Sequence, residues 1–301
     1  MKKRMICVML AAIILSLSAE LEAGAAAVGA QTQTAPRMTD EQWRKSPTGS
    51  AGVLEGKAVI VSIFVNDANS KWSKKAKKKA NRKMKAAGKY IRAQAKRYGK
   101  KVQLVTDIYE NKGISKTYTT KMKLNDSAGS QDRLYRKLQK WMDANINLTK
   151  LRESYGTDSI GFVFHINKSG NSSTLIHYME DEGKNFYECS TLFSRFEGEE
   201  EGAATYAHEI LHMFGARDLY MKSLADGITS SFVKYVVKKF PNDIMLTTYT
   251  PDGRQLTYGI KNEISRVTAY FLGWKTKIAE QKKYPIRVKQ KGCFSDGTSL
   301  G

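Results

Sequence analysis

The chain has 301 residues, with 50 Lys and Arg against 29 Asp and Glu, and a formal net charge of +21. Hydrophobic residues make up 41% of it, which is enough to build a core and excludes a largely disordered chain. Three cysteines are too few for a disulfide-dense miniature scaffold, and no apolar run after the N-terminus approaches the roughly 18 residues that span a bilayer, which excludes a polytopic membrane protein.

The first 30 residues are typical of an export signal. Basic residues at positions 2–4 precede the apolar stretch 5–17, and small-residue cleavage sites follow that end at Ala25 and Ala30. Cleavage and retention as an anchor are both open. In either case we expect the rest of the chain outside the cytoplasm, secreted or associated with the cell envelope.

The exported part is predicted to hold one domain with short flanking segments. Residues 31–50 are polar and contain two prolines, as a linker or a short pro-segment would. The domain is predicted over 51–280, and a basic, peripheral tail over 281–301. The domain's first element is an apolar, β-branched run at 58–65, which predicts a strand that is buried on both faces.

A long basic helix is predicted after this strand. Segment 71–101 contains fifteen Lys or Arg and no acidic residue. Apolar side chains recur in it every three or four residues from Trp72 to Tyr98, which is the period of an amphipathic helix. Gly99 is placed to end this helix, and 102–108 is predicted as a second strand, so the domain opens as β-α-β.

The charge of the basic helix 71–101 has two interpretations. It can be a solvated face that keeps an exported protein soluble, or it can bind an anionic surface such as a cell-wall polymer or acidic lipid. Nucleic acid is not expected as a partner because the sequence contains no recognition motif for it.

The remaining pattern predicts a mixed α/β (α+β) fold, with crossing helices on the sheet and a helical C-terminal subdomain. A helix and a strand are expected first, then two shorter strands, then three helices. The predicted ranges are helix 131–155, strands 159–166, 175–179 and 185–192, and helices 199–214, 230–240 and 261–274.

The helix 199–214 carries a metal-binding motif. His208 and His212 are four residues apart, so a helix places both imidazoles on one face, and Glu209 stands beside the first of them. Gly215 can end the helix with a positive φ, which lets the chain turn back and bring the carboxylate of Asp218 to the same ion. Two imidazoles and one carboxylate leave one position open, as in a catalytic zinc site.

The pattern His208-Glu209-x-x-His212-x-x-Gly215-x-x-Asp218 resembles the extended zinc signature of the metzincin metallopeptidases. Aspartate as third ligand makes it similar to the small secreted snapalysin-type enzymes of bacteria. The resemblance implies a twisted mixed sheet, an active-site helix, a helical lower subdomain and a substrate cleft between them. It also implies a methionine-containing turn under the zinc site, for which Met245 is the candidate; otherwise Met245 is an ordinary core residue.

We therefore expect an exported zinc endopeptidase with one catalytic Zn²⁺, in which Glu209 is the general base. A structural Ca²⁺ is left open, the substrate is a protein or peptide, and a monomer is expected. The resemblance suggests that substrate lies along an edge strand at Ser172–Tyr178, and Tyr220 and Tyr249 are weaker candidates for stabilising the oxyanion. The alternative from another class is a cell-envelope binding protein with a non-catalytic zinc site.

Four further residues have competing interpretations. Glu263, on a predicted helix, is the rival third ligand, although it can equally be an acidic residue that favours the first turn of its helix. His165 is expected to be a hydrogen-bonded sheet residue, and His177 can touch substrate at the cleft edge. After signal removal, Cys189 and Cys293 remain, either as a disulfide or as two separate thiols.

Overall fold

The computed structural model describes residues 50–51, 54–108, 118–120, 128–175 and 187–288. The predicted export signal, residues 31–49 of the predicted linker and the end of the predicted tail lie outside these ranges. Among the helices of the described ranges, none has the length and apolar character that crossing a membrane requires.

The domain opens with the predicted β-α-β unit. Strand β1 (Gly56–Asp67) and strand β2 (Val102–Ile108) are parallel, and helix α1 (Lys74–Arg97) connects them. Ser73 caps α1, because its side chain accepts a hydrogen bond from the amide of Ala76. The predicted strands and the long helix are confirmed.

The middle of the chain supplies two helices and the rest of the sheet. The single helix predicted over 131–155 is wrong: two helices cover this region, because the side chain of Asn147 accepts a hydrogen bond from the amide of Lys150 at 2.9 Å and starts a new helix. In chain order the elements are β3 (Tyr118–Thr120), α2 (Ala128–Asn145), α3 (Leu148–Tyr155), β4 (Ile160–Ser169), β5 (Ser173–Leu175), β6 (Cys189–Phe196) and β7 (Glu199–Glu200).

The strands form one mixed sheet in the order β2-β1-β4-β6-β5. Strands β2, β1, β4 and β6 are parallel, whereas β5 lies antiparallel to β6 and forms the edge. Strand β3 pairs with the end of β1, and β7 pairs with the end of β6. The expected mixed α/β fold is confirmed at this level.

Strand β1 is buried on both faces of the sheet. Ala58 and Ile60 of β1 belong to the core that α1 covers, and the alternate residues Val59 and Val61 belong to the core on the other face, which α2 and α3 cover. A strand with apolar side chains on both faces needs a helical layer on each side. This explains the near-continuous apolar run at 58–65.

The C-terminal part has helices joined by long loops and belongs to the core on the α1 side of the sheet. Its α-helices are α4 (Ala203–Met213), α5 (Ser230–Lys239) and α6 (Arg266–Phe271), and short 3-10 helices cover Leu224–Asp226 and Ala279–Lys282.

Two of these helices are shorter than predicted, and part of the predicted tail is packed. Helix α4 does not start at Glu199, because Glu199–Glu200 pairs with β6 as β7. Helix α6 starts only after Ser265, whose side chain accepts hydrogen bonds from the amides of Val267 and Thr268. Tyr284 and Ile286 are buried in the core, so the chain up to 288 is not peripheral.

Candidate metal centre

Helix α4 carries the histidine motif, and all of its residues are buried. It starts after Gly202, where a Cβ atom would lie only 2.7 Å from the carbonyl oxygen of Leu256. Glycine therefore lets the start of α4 approach the backbone of this loop. A helix enclosed in this way holds its side chains in a fixed direction.

The chain turns back directly after α4. Gly215 has a φ of 103°, which is unfavourable for residues with a Cβ atom. Its amide donates to the carbonyl of His212 at 2.9 Å, and the amide of Ala216 donates to the carbonyl of Leu211 at 3.1 Å. This turn brings Asp218 back beside the two histidines.

The side chains of His208, His212 and Asp218 converge on one point. The two Nε2 atoms are 3.1 Å apart, and Asp218 Oδ1 lies 3.2 Å from Nε2 of His208 and 3.1 Å from Nε2 of His212. The two imidazole rings are nearly perpendicular, at an interplanar angle of 85°. Both histidines are buried, while the Asp218 side chain is 23% exposed.

Backbone carbonyls fix the protonation of both imidazoles. Nδ1 of His208 lies 2.9 Å from the carbonyl oxygen of Ile244, and Nδ1 of His212 lies 2.9 Å from that of Ala216. A carbonyl oxygen can only accept, so each Nδ1 carries a proton, and each ring would offer the lone pair of Nε2 to a metal ion once Nε2 is deprotonated. The two Nε2 atoms and a carboxylate oxygen therefore point at one another.

The electrostatics of the site also favour positive charge. Burial lowers the pKa of His208, but the hydrogen bond to Asp218 and the charges of Glu209 and Asp218 outweigh it and raise this pKa to about 9. Burial raises the pKa of Asp218, whereas the charge of His212 and hydrogen bonds with both imidazoles lower it well below its usual range. The three side chains together therefore attract a cation.

The spacing of the three donor atoms matches a coordinated ion. An ion with tetrahedral bonds of about 2.0 Å holds its donor atoms about 3.3 Å apart. The three distances here are 3.1, 3.1 and 3.2 Å. Hydrogen bonds from Nδ1 to a backbone carbonyl are also the usual outer support of ligating histidines. The His208-His212-Asp218 group can therefore hold a metal ion.

The turn at Met245 supports this group through its backbone. The carbonyl of Ile244 orients His208 through its hydrogen bond. The carbonyl of Met245 accepts a hydrogen bond from the amide of Leu219 at 3.0 Å, and Leu219 directly follows Asp218 in the chain. Met245 itself is fully buried. The turn therefore contacts both the first and the third residue of the group, although the role predicted for the Met245 side chain stays a prediction.

The carboxylate of Asp243 holds this turn together. It accepts the amide of Met245 at 2.7 Å and the amide of Ser265 at 2.8 Å, and the hydroxyl of Thr268 lies 2.9 and 2.8 Å from its two oxygens. Burial raises the pKa of Asp243, and these hydrogen bonds oppose that shift. This role of Asp243 was not predicted from the sequence, since its only signal was an acidic residue inside a turn.

Glu209 lies beside the edge strand. Its Oε2 atom is 2.7 Å from the hydroxyl of Thr174 in β5, and its carbonyl oxygen is 3.2 Å from the hydroxyl of Ser190 in β6. Glu209 is only 5% exposed. The resemblance suggested an edge strand at Ser172–Tyr178 as the place of substrate, and β5 (Ser173–Leu175) forms an edge of the sheet within the described residues. Its role in binding substrate stays a prediction.

The structure separates the rival ligand from the group. Glu263 precedes α6, and its backbone forms a bridge with Asp243. Its side chain is 42% exposed and lies 3.9 Å from Arg97. The expectation that Glu263 belongs to a helix is therefore wrong. Only Asp218 is grouped with the two histidines among the described residues.

The other candidates are placed as follows. The hydroxyl of Tyr220 hydrogen-bonds Asp218, so burial and this carboxylate raise its pKa, while Tyr249 lies half-buried in the loop after Met245. His165 is buried in β4, where its Nε2 lies 3.0 Å from the hydroxyl of Ser62. His177 lies outside the described residues.

Cys189 has a free thiol, and its side chain is fully buried in β6. Burial raises its pKa, so it is not a reactive thiolate. Of the two interpretations, a disulfide or separate thiols, the free thiol of Cys189 favours separate thiols, and Cys293 itself lies outside the described residues.

A comparison of the whole chain with protein-family models and with curated protein sequences finds no match.

Proposed function

We propose that this chain is an exported zinc-dependent endopeptidase of metzincin type, with aspartate as its third zinc ligand. One observation carries the proposal: three donor atoms of His208, His212 and Asp218 converge at 3.1–3.2 Å, and the charge of the buried Glu209 acts on His208. A purely structural metal site has no need of a further carboxylate at its side.

The donor set favours zinc. Two imidazole nitrogens and one carboxylate oxygen, held by a rigid helix and a turn, are ligands typical of catalytic zinc, whereas Ca²⁺ and Mg²⁺ prefer oxygen alone. Three protein ligands leave a tetrahedral ion one position for water or substrate. Bound zinc would supply Lewis-acid polarisation of the scissile carbonyl and lower the pKa of water toward about 7.

Glu209 is proposed to move the proton. It would accept the proton of the attacking water and later deliver it to the nitrogen of the leaving amine. Thr174 would hold Oε2 of this carboxylate and leave Oε1 for the water, because no described residue forms a hydrogen bond with Oε1. This mechanism needs no covalent nucleophile.

A peptide substrate accounts for the position of the edge strand. Within the described residues, strand β5 pairs only with β6, so its other side can pair with an extended peptide by main-chain hydrogen bonds. Such a peptide would run past Glu209, which β5 contacts through Thr174. The basic, then apolar N-terminal segment 1–30 supports action outside the cytoplasm.

The test compares the chain with Glu209→Gln, on metal analysis and on hydrolysis of a broad peptide library. Both proteins should bind one zinc, because residue 209 is not a ligand, and only the variant should lose hydrolysis, by several orders of magnitude. A zinc-loaded wild type that cleaves nothing would reject the peptidase and favour the cell-envelope binding protein.

A further inference from the structure

The outer face of α1 carries a straight row of lysines. Lys74, Lys78, Lys85, Lys89 and Lys96 are all exposed. At 3.6 residues per turn, the five positions lie within an arc of about 60° around the helix axis. The row extends over about 33 Å at a rise of 1.5 Å per residue. We call these five residues the lysine row.

The lysine row has no counter-charge in the part of the chain that the structure describes. None of its five members forms an ion pair there, whereas cations elsewhere on α1 do. Lys79 and Lys83 bind Glu200 at 2.5 and 2.6 Å, and Arg97 lies 3.9 Å from Glu263. Carboxylates therefore border the lysine row on one side, and the row itself is left positive.

This arrangement works against the stability of the helix. Lys74 with Lys78 and Lys85 with Lys89 are like-charge pairs at i,i+4, where repulsion is destabilising. The first turn of α1 is basic and contains no acidic residue, which also opposes the helix dipole. Solubility alone does not require this placement, because the same charges can be spread over the surface. A bound polyanion would relieve both effects.

We propose that the lysine row binds a linear polymer of repeating phosphate groups, laid along α1. A single strand of phosphates matches a narrow row of cations and avoids the carboxylates of Glu200 and Glu263 beside it. A flat anionic membrane would approach those carboxylates as well, and α1 offers no exposed apolar residue larger than alanine for insertion.

Nucleic acid fits the same row less well, because single strands are held largely by bases stacked on aromatic rings. Tyr90 of α1 is packed against the core. The ring of Tyr258, next to the helix, is covered by the guanidinium of Arg82 at 4.2 Å from its centroid. A phosphate polymer without bases needs no such platform.

The experiment measures binding of inorganic polyphosphate by the full chain over a series of salt concentrations. The test variant is Lys78→Gln/Lys85→Gln/Lys89→Gln. The matched control is Lys234→Gln/Lys238→Gln/Lys239→Gln, which removes three exposed cations of α5 and gives the same net charge. Single-stranded DNA and phosphatidylglycerol vesicles are compared at equal phosphate concentration.

The test variant should bind polyphosphate at least tenfold more weakly, and the slope of log Kd against log salt should fall by about 2, since each phosphate contact contributes roughly 0.7. The control should bind within about twofold of the wild type. Equal weakening in both variants, or tighter binding of DNA or vesicles than of polyphosphate, would overturn the proposal. Circular dichroism should show that both variants keep their helices.

Discussion

The hydroxyl of Thr174, on the edge strand β5, lies 2.7 Å from Oε2 of Glu209, on helix α4. It also lies 3.0 Å from the carbonyl oxygen of Glu209, but its single proton serves the carboxylate better, since hydrogen bonds to charged acceptors are stronger. The hydroxyl of Ser190 lies 2.8 Å from that of Thr174 and can donate to it. One strand would therefore bind substrate and position the proposed base.

Replacing Thr174 by valine should reduce kcat much more than it changes KM. Valine keeps the branched shape and removes the hydroxyl, so Glu209 loses one hydrogen bond while the main chain of β5 stays in place. A hydrogen bond to a charged group contributes about 1.5–3 kcal/mol. We expect kcat to fall roughly tenfold to a hundredfold.

Thr174→Ser is the matched control, because it keeps the hydroxyl and should retain kcat within a few fold. Zinc content should be the same in the wild type and both variants, since Thr174 is not a ligand. If the serine variant were as slow as the valine variant, the hydroxyl would not be what positions Glu209.

Asp218→Ala should lose the metal, and Glu263→Ala should keep it. Removal of Asp218 takes one of three converging donor atoms away and leaves two histidines, which bind an ion weakly. Glu263 is exposed and makes one loose ion pair, so its loss should change the free energy of unfolding by less than about 0.5 kcal/mol. Metal content after dialysis measures both, and the reverse result would reassign the third ligand.

The grouping of His208, His212 and Asp218 could be predicted from the sequence, because the spacing of the two histidines on a helix and the glycine at 215 carry local geometric meaning. The sequence predicted β1 and α1 for the same reason, since hydrophobic periodicity reports local structure. Glu263 was assigned to the wrong element because a helix was extended across Ser265, whose side chain starts α6.

Contacts between segments that lie far apart in the chain could not be predicted, because no pattern in the sequence indicates them. The carbonyl of Ile244 that orients His208 belongs to the backbone, and any residue provides one. Thr174 and Asp243 are ordinary polar residues until folding places them beside Glu209 and Thr268. Such partners depend on tertiary packing, which local propensity and spacing do not encode.

Asp243→Ala should destabilise the protein strongly, because it leaves the amides of Met245 and Ser265 and the hydroxyl of Thr268 buried without their acceptor. Each unsatisfied buried donor costs about 1–3 kcal/mol. We expect a loss of at least about 3 kcal/mol in the free energy of unfolding, and weaker metal binding, because the turn that supports His208 and Asp218 loosens.

Met245→Leu is the comparison for Asp243→Ala. It nearly conserves volume in a fully buried position, so it should cost on the order of 1 kcal/mol and keep the zinc. Urea unfolding and metal analysis measure both variants. Complete loss of zinc from Met245→Leu would show that this side chain does more than pack beneath the site.

His165 is a buried histidine that resists protonation. Burial, with a smaller contribution from the charge of Lys83, lowers its pKa from 6.5 to about 3. Its Nε2 lies near Ser62, and its ring stacks on Phe64 with centroids 4.7 Å apart. Its Nδ1 has no hydrogen-bond partner among the described residues. The folded state therefore keeps this ring neutral where the unfolded chain would charge it.

His165 should make the protein lose stability as the pH falls below 6.5. In that range the unfolded state binds a proton that the folded state does not, so acid favours unfolding until the pH reaches about 3. One pKa unit corresponds to about 1.36 kcal/mol, so the step from pH 6.5 to pH 4 should cost roughly 3 kcal/mol through this residue.

In His165→Phe, this share of the pH dependence should vanish, as measured by urea unfolding at several pH values. Ser62→Ala, which removes the hydroxyl partner and keeps the imidazole, should retain it, and equal pH dependence in wild type and His165→Phe would contradict the low pKa.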